Sequence, residues 1–262
     1  MFARVPQRIA AMWFALCLWG WALASPAARP APIELTVSAA ISLKNALDEI
    51  QQLYVKQNPG VRLLVNYGAS GTLELQIEQG APVDLYMPAA SKPMDALESK
   101  GLLLEGTRKD VVRNEVVLIV PKDSSAISSF RDLASPRVKQ VALGEPNTVP
   151  AGQYAKEVLT NLGIYDAVEA KAIWAKDVRQ VLTYVETGNV DAGVVYSTDA
   201  ISSSKAKIVA EAPEASHTPV VYPVAVIKNS KNPTAAKQFA AFLLSPEAGA
   251  IFRKYGFGLA AP

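Results

Sequence analysis

Short apolar strands alternating with single amphipathic helices fill the chain from residue 33 onward, and nothing else in the sequence narrows the possible folds as much. The stretches 33–37, 61–67, 84–87, 116–120, 141–143, 170–174, 192–196, 208–209 and 220–227 read as strands. Between them, apolar residues recur at helical spacing. Leu43, Ala46, Leu47, Ile50, Leu53 and Tyr54 do so in one segment, Val178, Val181, Leu182 and Val185 in another. Further helices are expected over 73–79, 93–104 and 154–162, and two more end the chain around Phe239, Phe242, Ile251 and Phe252. A strand–helix–strand succession builds parallel sheets with helices packed on their faces. The pattern runs in two blocks, and two uninterrupted apolar strands, 116–120 and 220–227, mark where the chain passes between them. The expected fold is α/β with two lobes, each a mostly parallel sheet flanked by helices, joined by two crossover segments. Lobe 1 is discontinuous, 33–115 and 223–262; lobe 2 is 116–222.

Residues 1–24 stand apart. Arg4 and Arg8 precede a charge-free apolar run, and Ala22-Leu23-Ala24 offers a small-residue cleavage site ahead of Ser25-Pro26. That is the layout of a secretory signal peptide. The run falls short of the roughly 20 residues that span a bilayer. Cys17 follows Leu16, where a lipid-attachment site requires a small residue, so it reads as part of the apolar run. Cleavage after Ala24 takes the formal charge from +2 to zero and removes the single Cys. A chain with 26 Lys+Arg against 24 Asp+Glu lacks the basic excess of a protein that neutralises nucleic-acid phosphates. One Cys and one His exclude a disulfide framework and a Cys/His zinc site. An exported, soluble protein of the periplasm is expected.

Ligands of parallel sheets bind beyond the carboxyl ends of the strands. Those junctions are of one chemical kind here: Ser38-Ala39-Ala40-Ile41-Ser42, Gly68-Ala69-Ser70-Gly71-Thr72, Gly144 through Gly152 with Pro150 placed to open a helix, Asp177-Val178, and Tyr196-Ser197-Thr198. Each presents hydroxyls or unpaired N–H groups at a helix start, where the helix dipole favours an anion. A lone Ser in such a place is most often only a cap, and Tyr196 at a strand end is most often packing. Several such junctions together point to a two-lobed binding protein for a small anion. Other chemistry is poorly supported. The turn around Ser70 nearly matches a nucleophile elbow, but Thr72 replaces its last Gly and His217 lies in a polar, Pro-flanked loop. Ser202-Ser203-Ser204-Lys205 has no companion motif, and there is no G-x-G-x-x-G, Walker A or H-E-x-x-H.

The ordered set Ala39-Ala40-Ile41-Ser42-Leu43, Gly68-Ala69-Ser70-Gly71-Thr72-Leu73, Val149-Pro150-Ala151-Gly152-Gln153-Tyr154-Ala155-Lys156-Glu157, Asp177-Val178-Arg179, Gly193-Val194-Val195-Tyr196-Ser197-Thr198-Asp199-Ala200 and Tyr222-Pro223-Val224-Ala225-Val226 resembles the periplasmic molybdate-binding proteins of ABC transporters. The resemblance spans essentially all of the chain after the signal peptide. It implies the type II periplasmic-binding fold, closing on one tetrahedral oxyanion, molybdate or tungstate. It further implies a non-enzymatic monomer that delivers to an inner-membrane permease, without a cofactor and without direct ligands to the metal atom. By motif, the anion ligands it implies are the hydroxyls of Ser42, Ser70 and Tyr196 and the backbone amides of Ala151 and Val178. Two departures from the pattern, Ile41 for a small residue and Gly71 where Ser is also common, touch no ligand group. A site of O–H and N–H donors suits a fully deprotonated dianion and disfavours an anion carrying its own proton. The alternatives are a carrier for another oxyanion, such as sulfate or chromate, and an exported enzyme on the same scaffold with Ser70 as nucleophile.

Overall fold

The computed structural model describes Phe2 and residues 31–260; the expected signal peptide over 1–24, Cys17 included, lies outside the described residues. The chain begins with β1 (Ile33–Ala40), α1 (Lys44–Gln57), β2 (Val61–Gly68), α2 (Ser70–Glu78), β3 (Leu85–Met87), α3 (Ser91–Ser99) and β4 (Lys109–Arg113). It continues through β5 (Val116–Pro121), β6 (Val141–Gly144), α4 (Pro150–Asn161), α5 (Tyr165–Glu169), β7 (Ala172–Ala175), α6 (Val178–Glu186), β8 (Ala192–Tyr196), α7 (Ser197–Ile201) and β9 (Ala206–Glu211). It closes with β10 (Val221–Val226), α8 (Pro233–Leu243), α9 (Pro246–Lys254) and β11 (Gly258–Leu259).

The strands form two sheets, ordered β11-β4-β10-β3-β1-β2 and β7-β6-β8-β5-β9. Both carry three parallel strands at one end and then an inserted antiparallel strand, β10 or β5, followed by β4 and β11 in the first sheet and by β9 in the second. That shared two-lobed arrangement is the type II periplasmic-binding fold. The sheets are mixed rather than mostly parallel: β10 runs antiparallel to β3 and β4, and β5 antiparallel to β8 and β9. β4 passes to β5 through Asn114 and Glu115 alone, which carries the chain from the first sheet into the second.

Burial follows the helical and strand periods. In α1 the buried stripe is Ala46, Leu47, Ile50 and Tyr54; in α6 it is Val178, Val181, Leu182 and Val185. Tyr54 meets Phe239 and Phe242 of α8 with ring centroids 4.8 and 5.0 Å apart, tying α1 to the C-terminal helices. β5 is buried through its first five residues, as a strand covered on both faces must be. Three expectations shift. α3 ends at Ser99, with Gly101 at φ +65 turning the chain, instead of running to 104. β10 starts at Val221, so Val221 and Tyr222 join the first sheet two residues ahead of the expected boundary at 223. Pro223, which as a strand residue without an N–H suits an edge or a crossover, sits in the middle of that sheet, and the register slips between Tyr222 and Pro223 where its missing N–H would otherwise break the ladder. Among the described residues no helix is long and apolar enough to cross a membrane.

Candidate functional site

Each junction singled out from the sequence stands at the carboxyl end of a strand. Ser42 lies in a 3-10 turn, Ile41–Leu43, directly after β1, and Ser70 is the first residue of α2 after β2. Ala151 is the second residue of α4 after β6, Val178 the first of α6 after β7, and Tyr196 the last of β8. All five line one small cleft between the lobes. None of the five is more than 4% exposed, so whatever occupies the cavity is held away from bulk water.

The local sequence explains these placements. Pro150 opens α4 with a residue that has no N–H to leave unpaired, which makes the Ala151 amide the first free donor of the helix. Gly152 is demanded by a close approach, because a Cβ there would stand 2.0 Å from the Gly144 carbonyl oxygen. Asp177 caps α6 by accepting from the Gln180 amide at 2.9 Å, leaving the Val178 amide to the cavity. Among the described residues, no backbone carbonyl accepts from the Ala151 or Val178 N–H.

The hydroxyls are held by protein donors. Ser70 Oγ accepts from the Ala89 amide at 3.0 Å, and Ser42 Oγ lies 3.1 Å from the Tyr222 hydroxyl. Asn114 Nδ2 donates to Tyr222 Oη at 3.1 Å and to Thr198 Oγ1 at 2.8 Å. Tyr196 Oη makes only a long contact, donating to the Ala89 carbonyl at 3.5 Å. Burial pushes the Tyr196 and Tyr222 hydroxyls well above the ordinary tyrosine range, so both keep their protons and remain donors.

Among the described residues, no Lys, Arg, Asp, Glu or His lines the cavity. Behind it, Arg179 Nε pairs with the fully buried Asp199 at 2.7 Å. Desolvation pushes the Asp199 carboxyl up to about 6, against the lowering effect of Arg179. His217 is away from the cavity: its Nδ1 meets the Thr218 carbonyl at 2.7 Å and its ring packs edge-on against Tyr154. The Ser70 hydroxyl is therefore paired with an amide and with no general base.

Sequence reasoning missed Ala89, Gly71 with Thr148, and the pair Tyr222 and Asn114. Ala89 was open to discovery, since it follows β3 as the other junctions follow their strands, but Pro88-Ala89-Ala90 carries no hydroxyl to mark it. Tyr222 stands 180 residues from Ser42 in sequence, and no local signal joins them.

Residues 35–258 match the family of bacterial extracellular solute-binding proteins. A Bacillus subtilis (strain 168) protein, YvgL, whose name places it among ABC transporter substrate-binding lipoproteins, is 48% identical over 226 residues, covering 86% of each chain. The molybdate-binding protein ModA of Haemophilus influenzae is 38% identical, covering 87% of this chain and 91% of its own. The solved periplasmic molybdate-binding protein of Azotobacter vinelandii superposes with a TM-score of 0.79 at 26% identity, over 87% of this chain and all of that one. With the match running across both lobes, the chain belongs to the bacterial extracellular solute-binding proteins.

Proposed function

We propose that this protein captures molybdate or tungstate between its lobes, outside the cytoplasmic membrane, and delivers it as a monomer to an ABC permease. The observation that carries the reading is the lining of the inter-lobe cavity, where hydroxyl and amide donors converge without one carboxylate or cation. Ser42, Ser70 and Tyr196 supply O–H groups, and Ala151 and Val178 supply N–H groups at helix starts. Hydrogen bonds to a charged partner contribute about 1.5–3 kcal/mol each. Five of them, less the cost of ordering, give roughly 8–12 kcal/mol, in the micromolar to nanomolar range. The names of the relatives, and the signal-peptide layout of residues 1–24, agree with export and with this cargo. The buried Ser70, paired with an amide, favours solute binding over the reading with Ser70 as nucleophile.

The test is a thermal shift of the protein lacking residues 1–24, with molybdate, tungstate, sulfate and phosphate in parallel. Ligand at a thousand times its Kd adds about 4 kcal/mol, which raises Tm by roughly 8–16 °C for a chain of this size. A shift with molybdate and tungstate, and none with phosphate, is expected. A shift with sulfate alone overturns the cargo and keeps the carrier. No shift with any of the four overturns the oxyanion reading.

A further inference from the structure

The two serines of the cavity share a feature that their exposure and position do not reveal: each already accepts a hydrogen bond from the protein. Ser70 Oγ accepts from the Ala89 amide, which can only donate. At Ser42 the direction follows from its neighbours. Asn114 Oδ1 accepts from the Glu115 amide at 3.0 Å, which orients the side-chain amide and turns Nδ2 away. Asn114 Nδ2 then spends its two hydrogens on Thr198 Oγ1 and Tyr222 Oη. Tyr222 is fully buried, and its hydroxyl has Ser42 Oγ as its remaining polar neighbour among the described residues. If Ser42 donated to Tyr222, the Tyr222 hydrogen would be buried with no acceptor, an arrangement native interiors avoid. Tyr222 must therefore donate to Ser42, and the Ser42 hydrogen is left for the cavity.

We propose that Tyr222 and Asn114, neither of which lines the cavity, act as positioning residues that fix the Ser42 hydroxyl as a donor and so set selectivity for fully deprotonated oxyanions. The inference rests on the oxyanion reading given above. A serine hydroxyl free to rotate can turn and accept from a protonated anion such as hydrogen phosphate. With each serine oxygen already accepting from the protein and its hydrogen turned to the cavity, that proton meets a hydroxyl with only one lone pair left and is poorly partnered. The penalty for a buried, poorly partnered donor corresponds to roughly tenfold to a hundredfold in affinity. The relay also spans the lobes, since Asn114 lies in the two-residue joint between β4 and β5 and Thr198 lies in α7.

Molybdate Kd and phosphate competition are measured for the wild type, Tyr222→Phe, Asn114→Ala, Ser42→Ala and the double variant Ser42→Ala/Tyr222→Phe, with unliganded Tm as the folding check. Tyr222→Phe is expected to weaken molybdate by about tenfold and to narrow the molybdate-to-phosphate ratio by about tenfold or more, because Ser42 gains freedom to accept. In the Ser42→Ala background it should change neither value. Asn114→Ala, which leaves the Ser42–Tyr222 contact free to reverse, should narrow the ratio in the same sense and serves if Tyr222→Phe does not fold. Equal weakening of both anions, or an undiminished effect without the Ser42 hydroxyl, overturns the proposal and leaves Tyr222 a packing residue. A wild type that binds no oxyanion overturns the underlying reading, before any variant is compared.

Discussion

Among the described carboxyl groups, Asp199 departs furthest from its ordinary behaviour. Its side chain is fully buried beside the strand end that carries Tyr196, with Arg179 pairing to it. Burial penalises the carboxylate more than the guanidinium relieves it, and the carboxyl is pushed up to about 6. The folded protein thus holds this proton more tightly than the unfolded chain, whose carboxyl titrates near its ordinary 3.8. Linkage then makes the group favour folding below about pH 4, and this contribution is lost as the pH rises through about 6. The sign is opposite to that of a carboxylate paired in the usual way. Urea unfolding of the wild type and Asp199→Asn between pH 4 and 7 should show the wild type losing ground to the variant as pH rises, by an amount on the order of a few kcal/mol. A stability difference that does not change with pH would contradict the assignment. From the sequence alone Asp199 reads as one of several isolated acids near helix starts, where caps and surface pairs are the default. Asp84 does serve as a local anchor, accepting from the Thr36 amide at 2.8 Å and from Ser230. Both are buried, but Asp199 more completely, 0% exposed against 7% for Asp84, and depth of burial in a lobe's interior has no signature in the neighbouring residues.

At the scale of elements, legibility follows the pattern strength. α1 and α6 were readable because their buried positions repeat at helical spacing, and α6 also carries its Asp177 cap. β4 was not, because only Val111 and Val112 are buried between charged Lys109, Asp110 and Arg113, and β11 is two residues long. Both owe their strand form to antiparallel pairing with each other and, for β4, with β10. The junctions proposed to bind the anion were legible for a different reason: parallel strands aim their carboxyl ends and the following helix starts at one place. α4 shows how tightly that aim is set. Gly144 at the end of β6 and Gly152 in the first turn of α4 touch backbone to backbone, and a Cβ on Gly152 would fall 2.0 Å from the Gly144 oxygen and 2.5 Å from its carbonyl carbon. Neither neighbour is a flexible side-chain tip, so Gly152→Ala must push the N-terminus of α4 off the sheet and carry the Ala151 amide with it. Overpacking of this kind costs roughly 1–3 kcal/mol. The variant should lower the unliganded Tm and weaken molybdate together, both read by thermal shift. A weakened Tm with unchanged affinity would take the Ala151 amide out of the anion's shell.

For the whole molecule, what matters is that each lobe holds only part of the proposed donor set. Ser42 and Ser70 belong to the first sheet's side and Ala151, Val178 and Tyr196 to the second. A ligand contacting both favours the closed arrangement by the difference in its affinity for the two arrangements, and anything that opposes closure raises Kd by the same factor. The contact most exposed to such opposition is at Gly71, whose amide donates to the Thr148 carbonyl at 2.9 Å across the lobes. A Cβ on Gly71 would meet Thr148 Cα at 2.8 Å and its carbonyl oxygen at 2.9 Å. These are backbone atoms of the other lobe, so relief comes by parting the lobes about the 114–115 joint and the 212–220 return, not by local repacking. Gly71 lies at the second position of α2, without a positive φ, so an alanine there imposes no backbone strain within its own lobe. Gly71→Ala is therefore expected to leave each lobe's folding intact while the closed form loses about 1–3 kcal/mol, raising the molybdate Kd by roughly 5- to 150-fold. Titration calorimetry gives the Kd, and the unliganded Tm should stay within about a degree or two of the wild type, as for a surface change of no more than half a kcal/mol. Unchanged affinity would show that the cavity closes on its anion without this contact. A large fall in unliganded Tm would show instead that the two lobes depend on each other for their folding.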